Sequence, residues 1–251
     1  DQAHLSDHPG NYRKNTERKS LTRSEGVTMR RIIMLLIAAG LLTGLLYAEF
    51  RFSGTGNNWL ILAFKTPLSM LFVITALLQP RVIPGYFKLI FIGLILGLVG
   101  DVCLALPGPG AFRAGLVAFL GGHILYVVAF GILARMRDWF SPLHILIIAL
   151  SVSIYWWLLP HLGEMLVPVT AYLVVISGMV AGAWAAFRNP EVPRTGAWVI
   201  LIGAVLFYAS DIFVAHQRFV TEHFYNRLIG LPLYYMGQFL LAFSVGLVRK
   251  S

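Results

Sequence analysis

The sequence predicts an all-α, polytopic bundle of transmembrane helices, and three observations predict it. Hydrophobic residues fill 58% of the 251 positions and charged residues only 12%, about half the charged share usual in a soluble domain. Mean hydropathy is +0.75. From residue 32 to the end, apolar runs long enough to give the ~20 residues of a membrane-spanning helix follow one another with short breaks.

Eight such runs are readable: 32–49, 58–78, 87–106, 112–133, 143–159, 165–187, 196–216 and 228–248. The first follows Met29-Arg30-Arg31, which reads as a natural start, and Glu49-Phe50-Arg51 follows it with no small-residue cleavage site, so it is expected to be a retained helix rather than a signal peptide. Residues 1–28 are polar, with five Lys and Arg between Arg13 and Arg23, and are expected to be a disordered extension to a single membrane domain over 29–251. Pro107-Gly108-Pro109-Gly110 breaks the third run from the fourth. Pro80, Pro84, Pro142, Pro190 and Pro193 mark further boundaries, and Pro160-His161-Leu162-Gly163-Glu164 must form a tight loop between the fifth and sixth runs.

The net charge of +9 does not mark a nucleic-acid surface, because the basic residues sit in short loops and tails. With the N-terminus inside, the inner side holds ten of them (Arg30, Arg31, Arg81, Lys88, Arg135, Arg137, Arg188, Arg194, Arg249 and Lys250). The outer side holds four (Arg51, Arg113, Arg218 and Arg227). Basic residues favour the cytoplasmic side, so both termini are expected there, in a bacterial inner (plasma) membrane. Cys103 is the only cysteine, which rules out an intrachain disulfide and a cysteine metal cluster.

Polar residues inside the runs carry the functional signal, since an ionisable side chain at depth in a bilayer costs a few kcal/mol. Asp101 and Asp211 are the two acids read as lying within helices, each near the outer end of its run. Lys65 lies at a similar level, Tyr234 one to two turns in, and His123 and Gln238 near the midplane. Such a cluster in one half of the membrane suits a single cavity open to the outer leaflet. Structural alternatives stand beside each. The acids could pair with Lys65 or cap helix ends, and His123 could be a satisfied core histidine bonded to a carbonyl or to Tyr126. Lys65 could snorkel, and Tyr172, Tyr208, Tyr234 and Tyr235 could form an interface belt. Tyr234 and Gln238, four apart, share one helix face. His161, His216 and His223 are expected to be solvated at loops and ends.

A weak internal pattern runs through the same positions. Gly100-Asp101-Val102-Cys103-Leu104-Ala105 resembles Ser210-Asp211-Ile212-Phe213-Val214-Ala215, Gly122-His123 matches Gly237-Gln238, and Pro67-Leu68-Ser69-Met70 matches Pro168-Val169-Thr170-Ala171. Four helices separate the copies, so the pattern describes a parallel 4+4 repeat about an axis along the membrane normal. Standard catalytic signatures are missing: no Gly-x-Ser-x-Gly elbow, no His-Glu-x-x-His, no phosphate-binding glycine loop.

Taken together, Lys65-Thr66-Pro67, Gly100-Asp101, the helix Phe112…Gly115…Phe119…Gly122-His123…Tyr126, Ser210-Asp211 and Tyr234…Gln238 give the chain, from about residue 32 to 248, a resemblance to the YhhN-like lysoplasmalogenases. The resemblance implies a multi-helix membrane hydrolase acting on a lysophospholipid among membrane lipids, without cofactor, metal or nucleic-acid partner. The reaction would cleave the sn-1 vinyl ether bond of a lysoplasmalogen to a fatty aldehyde and a glycerophospho-head-group alcohol. Vinyl ether hydrolysis needs an acid to protonate the β-carbon, a carboxylate beside the resulting oxocarbenium ion, and a base for water. Asp101 and Asp211 would divide these roles, with His123 assisting. Tyr126, Tyr172, Tyr234 and Gln238 would contact or orient substrate or water, and Lys65 would meet the phosphate. Two other classes fit the residues: a non-enzymatic lipid-binding or transport protein with a midplane polar site, and a zinc-dependent hydrolase using His123, Asp101 and Asp211, for which well-placed histidines are few.

Overall fold

A computed structural model describes residues 9–53 and 58–248, with side chains at Met29 and, over those residues, from Ile32 onward. It is all-helical over those residues, in the order α1 (Pro9–Phe52), α2 (Asn58–Leu77), α3 (Pro84–Ala105), α4 (Pro109–Leu133), α5 (Pro142–Leu158), α6 (Leu166–Arg188), α7 (Arg194–Ala215) and α8 (Phe224–Ser244). The backbone of α1 is helical from Pro9; the side chains of the polar segment 1–28, and Arg249 and Lys250, lie outside the described residues. Contacts divide the chain into two units, residues 1–40 and residues 41–251.

The helix boundaries follow proline chemistry. Pro84, Pro109 and Pro142 open α3, α4 and α5 from within the first turn, where a missing N–H costs no hydrogen bond and a fixed φ is already helical. α3 and α4 therefore begin three residues before the runs read from hydropathy. The Pro-Gly break holds: Gly108 sits at φ +101°, a left-handed conformation that glycine adopts freely. Leu159–His161 and Gly163–Met165 are short 3₁₀ turns forming the tight connection from α5 to α6, with Gly163 at φ +49°.

Seven described helices are long and apolar enough to cross a membrane, which makes the chain a multi-pass integral membrane protein. α8, 21 residues long, is not one of those seven, although it packs on α7 and α2. Asn226, Arg227, Tyr234, Tyr235 and Gln238 lower its hydropathy, and most of them are buried in the bundle.

Within residues 41–251, α2, α3, α4, α6, α7 and α8 contact one another in sequence and close back from α8 to α2 as a ring. α5 packs outside it against α6, with Ile145, Leu146, Ile148 and Trp156 exposed. Without water on that side, such apolar surface faces lipid rather than marking a defect. The last turns of α1 lie against α2 and α8, where Gly44 accommodates the Phe64 ring and Phe50 meets Phe224 edge-to-face at 5.0 Å. Small residues set the closest crossings. A Cβ on Gly122 of α4 would lie 3.1 Å from the Gly93 carbonyl oxygen of α3, and one on Gly237 of α8 would lie 3.0 Å from that of Gly203 on α7. In lipid, close backbone approach of this kind replaces the hydrophobic drive for helix association.

At the end of the bundle away from Asp101, the α4–α5 connection is clamped to α6. The Asn189 amide donates to the Leu133 carbonyl at 2.7 Å and Arg188 of α6 donates to the Asp138 carbonyl at 3.2 Å, while within the connection the Arg135 Nε donates to the Asp138 carboxylate at 2.9 Å.

Candidate functional site

Asp101 lies one turn before the end of α3 and is 1% exposed. Its Oδ1 is 3.2 Å from the Lys65 ammonium, and its Oδ2 accepts from the Ser69 hydroxyl and the Tyr234 hydroxyl, each at 2.6 Å. Lys65 and Ser69 are four apart on α2, so one helix face delivers both. Behind Tyr234 the bonds continue. Gln238 Nε2 donates to the Tyr234 hydroxyl at 3.1 Å, and the Tyr126 hydroxyl donates to Gln238 Oε1 at 2.9 Å. Tyr126, Gln238, Tyr234 and Asp101 thus form one polar line through the α3/α4/α8 interior, and Gly97 leaves the space in which the Gln238 amide sits. The Tyr234 ring is held edge-on by Phe119 at 5.8 Å and Phe207 at 5.2 Å.

Asp211 lies one turn before the end of α7, half-buried, and accepts from the Tyr172 hydroxyl of α6 at 2.6 Å. No cation among the described residues approaches its carboxylate. The two aspartates share one space. An open-mouthed cavity is lined by Lys65, Asp101, Tyr172, Asp211 and Tyr234 on its polar side. Most of the rest of its wall is aliphatic and aromatic, with Leu116, Phe119, Ile154, Leu158, Val169 and Ile176 among others, and Ser210, Gln217, Asn226 and Arg227 also line it. Five of the eight residues singled out from the sequence therefore face a single cavity. Tyr126 and Gln238 stand behind it, in contact through Tyr234.

His123 stands apart from that cavity. It is fully buried, with its ring edge-on to Phe207 at 4.5 Å and to Tyr172 at 5.2 Å. Neither ring nitrogen completes a hydrogen bond with the described residues. The Tyr126 ring is beside it at 6.2 Å, but the hydroxyl of Tyr126 goes to Gln238 instead. Lys65 is 4% exposed and faces Asp101 rather than the bilayer surface. Tyr208, Tyr234 and Tyr235 are buried in the bundle, which removes the interface-belt reading for them. Tyr208 bonds Ser151 at 2.9 Å, and Tyr235 shares the Ser69 hydroxyl at 3.3 Å. Of the histidines read as solvated, His161 and His223 are exposed, while His216 is half-buried and bonded to Asn226 at 3.0 Å.

Sequence reasoning missed Ser69, Glu49 and Arg227. The spacing Lys65-x-x-x-Ser69 on a spanning helix was the available signal for the first. Glu49 is a third intramembrane acid, 5% exposed in the last turns of α1, with Oε2 3.7 Å from the Nε of Arg227. Arg227 reads as a loop cation, yet it lies in the first turn of α8 and lines the cavity.

The YhhN family model matches residues 60–245, a stretch that includes every residue named around the cavity except Glu49. A Mycobacterium tuberculosis protein named lysoplasmalogenase is 32% identical over 187 residues, 72% of this chain and 67% of that protein. Human lysoplasmalogenase TMEM86B is 34% identical over 165 residues, 64% of each chain, and bovine lysoplasmalogenase TMEM86A is 32% identical over 159 residues, 62% of this chain and 64% of its own. The chain thus spans about two thirds of the length of these relatives. No solved structure matches it. The chain belongs to the YhhN family.

Proposed function

We propose that this chain is a membrane hydrolase that cleaves the sn-1 vinyl ether bond of lysoplasmalogens. The observation that carries the reading is the pair of carboxylates, Asp101 and Asp211, facing one largely apolar cavity. The names of the relatives at 32–34% identity support the substrate.

The two acids differ in what holds them, and that difference divides their work. Asp211 has one donor among the described residues, Tyr172, and a carboxyl oxygen left for the cavity. It is the group placed to carry a proton to the vinyl β-carbon. The C–H bond forms as the double-bond pair is spent, and positive charge appears on the ether carbon and oxygen. Asp101, fixed by Lys65, Ser69 and Tyr234, supplies a preorganised negative charge beside that oxocarbenium ion. Water adds to the carbon and returns its proton to the Asp211 carboxylate. The hemiacetal then collapses, its hydroxyl proton passing to the departing glycerol oxygen, to give aldehyde and alcohol. Tyr126 and Gln238 orient the Tyr234 hydroxyl, and His123 packs Tyr172 in place; these act as positioning residues.

The test is purified protein in detergent with a lysoplasmalogen and its saturated-ether analogue, assayed for free aldehyde. Aldehyde from the vinyl ether alone, lost in Asp101→Asn and Asp211→Asn, supports the reading. Activity retained in both single variants removes the carboxylate pair, and lipid flux into liposomes without product favours the transport alternative.

We also infer the parallel 4+4 repeat, with both termini on the cytoplasmic side of a bacterial plasma membrane and 29–251 as one membrane domain. Matched close approaches support the repeat. Gly93 precedes Asp101, and Gly203 precedes Asp211, by the same eight residues; Gly115–Gly122 and Gly230–Gly237 are each seven apart. The α3/α4 and α7/α8 crossings then meet at equivalent glycines.

A further inference from the structure

Beyond its mouth the apolar cavity continues into a second, polar space between the ends of α3, α7 and α8. Its own polar lining is Arg218, Thr221 and Glu222, and the residues it shares with the cavity include Phe112, Gln217 and Arg227. Arg227 thus lines both spaces, and Arg218 lines the second. Arg218 lies over the Phe112 ring, 4.4 Å from its centroid. Arg227 is 28% exposed, and its charged partner among the described residues is the Glu49 carboxylate at 3.7 Å, outside hydrogen-bond distance. Its Nε is buried and makes no hydrogen bond among the described residues. A guanidinium with donors unspent at the rim of the cavity is suited to an oxyanion that presents two oxygens side by side, as a carboxylate or a phosphodiester does.

The level is right for a lysolipid phosphate. Arg227 precedes Tyr234 by seven residues on α8, two turns along one face, or about 10 Å farther out than the hydroxyl that holds Asp101 at ~1.5 Å per residue. In a glycerol backbone five bonds of about 1.5 Å separate the sn-1 oxygen from phosphorus, and an extended arginine covers the rest. Lys65 cannot serve in this way while its ammonium stays with Asp101 inside the cavity.

We propose that Arg227, with Arg218 beside it, is the subsite for the phosphodiester of the substrate head group, and that Lys65 fixes Asp101 instead of meeting phosphate. This rests on the hydrolase reading above. The measurement is kcat/KM of wild type, Arg227→Gln and Arg227→Lys on a lysoplasmalogen and on a 1-alkenylglycerol that lacks phosphate. The ratio of the two should fall at least ~10-fold in Arg227→Gln, the worth of one charge-assisted hydrogen bond. The loss should lie more in KM than in kcat, with partial recovery in Arg227→Lys. A ratio unchanged in Arg227→Gln, including a parallel loss on both substrates such as an unpaired Glu49 would cause, overturns the subsite. Glycerophosphocholine should inhibit wild type more strongly than Arg227→Gln. Inorganic phosphate inhibiting as well as glycerophosphocholine would show a free-phosphate site and overturn the head-group assignment. If wild type hydrolyses neither substrate, the hydrolase reading fails alone. Binding of the lysoplasmalogen to wild type and Arg227→Gln, measured by calorimetry, then decides the subsite by the same ~10-fold criterion.

Discussion

Asp101 is engaged at both carboxylate oxygens and Asp211 at one, so the two residues should respond differently to substitution of their partners. Lys65→Met should cost about 3–5 kcal/mol, because it leaves Asp101 in the interior without its cation. The doubly substituted Lys65→Met/Asp101→Leu should recover most of that, as read by thermal unfolding in detergent. A cost below ~1 kcal/mol for the single change would contradict the pairing. Tyr172→Phe removes the donor to Asp211 and should slow aldehyde release ~10-fold, the worth of one hydrogen bond, with unfolding temperature little changed. The charged and amide members of this set stand out in the sequence because each is costly in lipid. Ser69 does not, since a hydroxyl can bond its own helix or a neighbour and sits in apolar runs without penalty. Arg227 was hidden by position: seen as a run of letters it belongs to a loop, and only the earlier start of α8 brings it to the cavity.

Helix crossings and connections carry the next predictions. A methyl on Gly237 would press on the Gly203 carbonyl at 3.0 Å, whereas one on Gly131 of α4 meets nothing within 4 Å. Gly237→Ala should therefore lower the unfolding temperature by several degrees. Gly131→Ala should leave it unchanged or raise it by the few tenths of a kcal/mol that alanine favours in a helix; equal effects would sink the close-crossing account. In the α4–α5 connection, outside the spans, hydrogen bonding from Arg135 holds the Asp138 carboxyl below the usual carboxylate range. A lowered folded pKa contributes stability that is present above the unfolded value, ~3.9, and is lost as pH falls through the folded one. The stability difference between wild type and Asp138→Asn should thus be constant above about pH 5 and shrink below about pH 4. A difference that grows on acidification would reverse that sign. These elements were legible from hydropathy and turn residues, but their first turns were not, because Pro84 and Pro109 look like breaks and act as helix starts.

Taken whole, the bundle buries a polar site at one end of a ring of helices and leaves α5 facing lipid. Composition and segment length carry that architecture, because the bilayer admits few alternatives. The ring order was not legible, since apolar faces match one another without specificity until the glycine crossings choose among them. If the 4+4 repeat holds, α2–α4 and α6–α8 of an experimentally determined structure should superpose by a rotation about an axis along the membrane normal; halves that do not superpose would end it. The central claim is protonation of a vinyl ether carbon in the cavity shared by Asp101 and Asp211. Its most direct test is turnover of a lysoplasmalogen in D₂O with the aldehyde trapped on release and weighed. Carbon protonation predicts one solvent deuteron on the carbon next to the aldehyde carbonyl, with the signal lost in Asp211→Asn. Aldehyde carrying no deuterium at that carbon, or undiminished labelled aldehyde from Asp211→Asn, would contradict it.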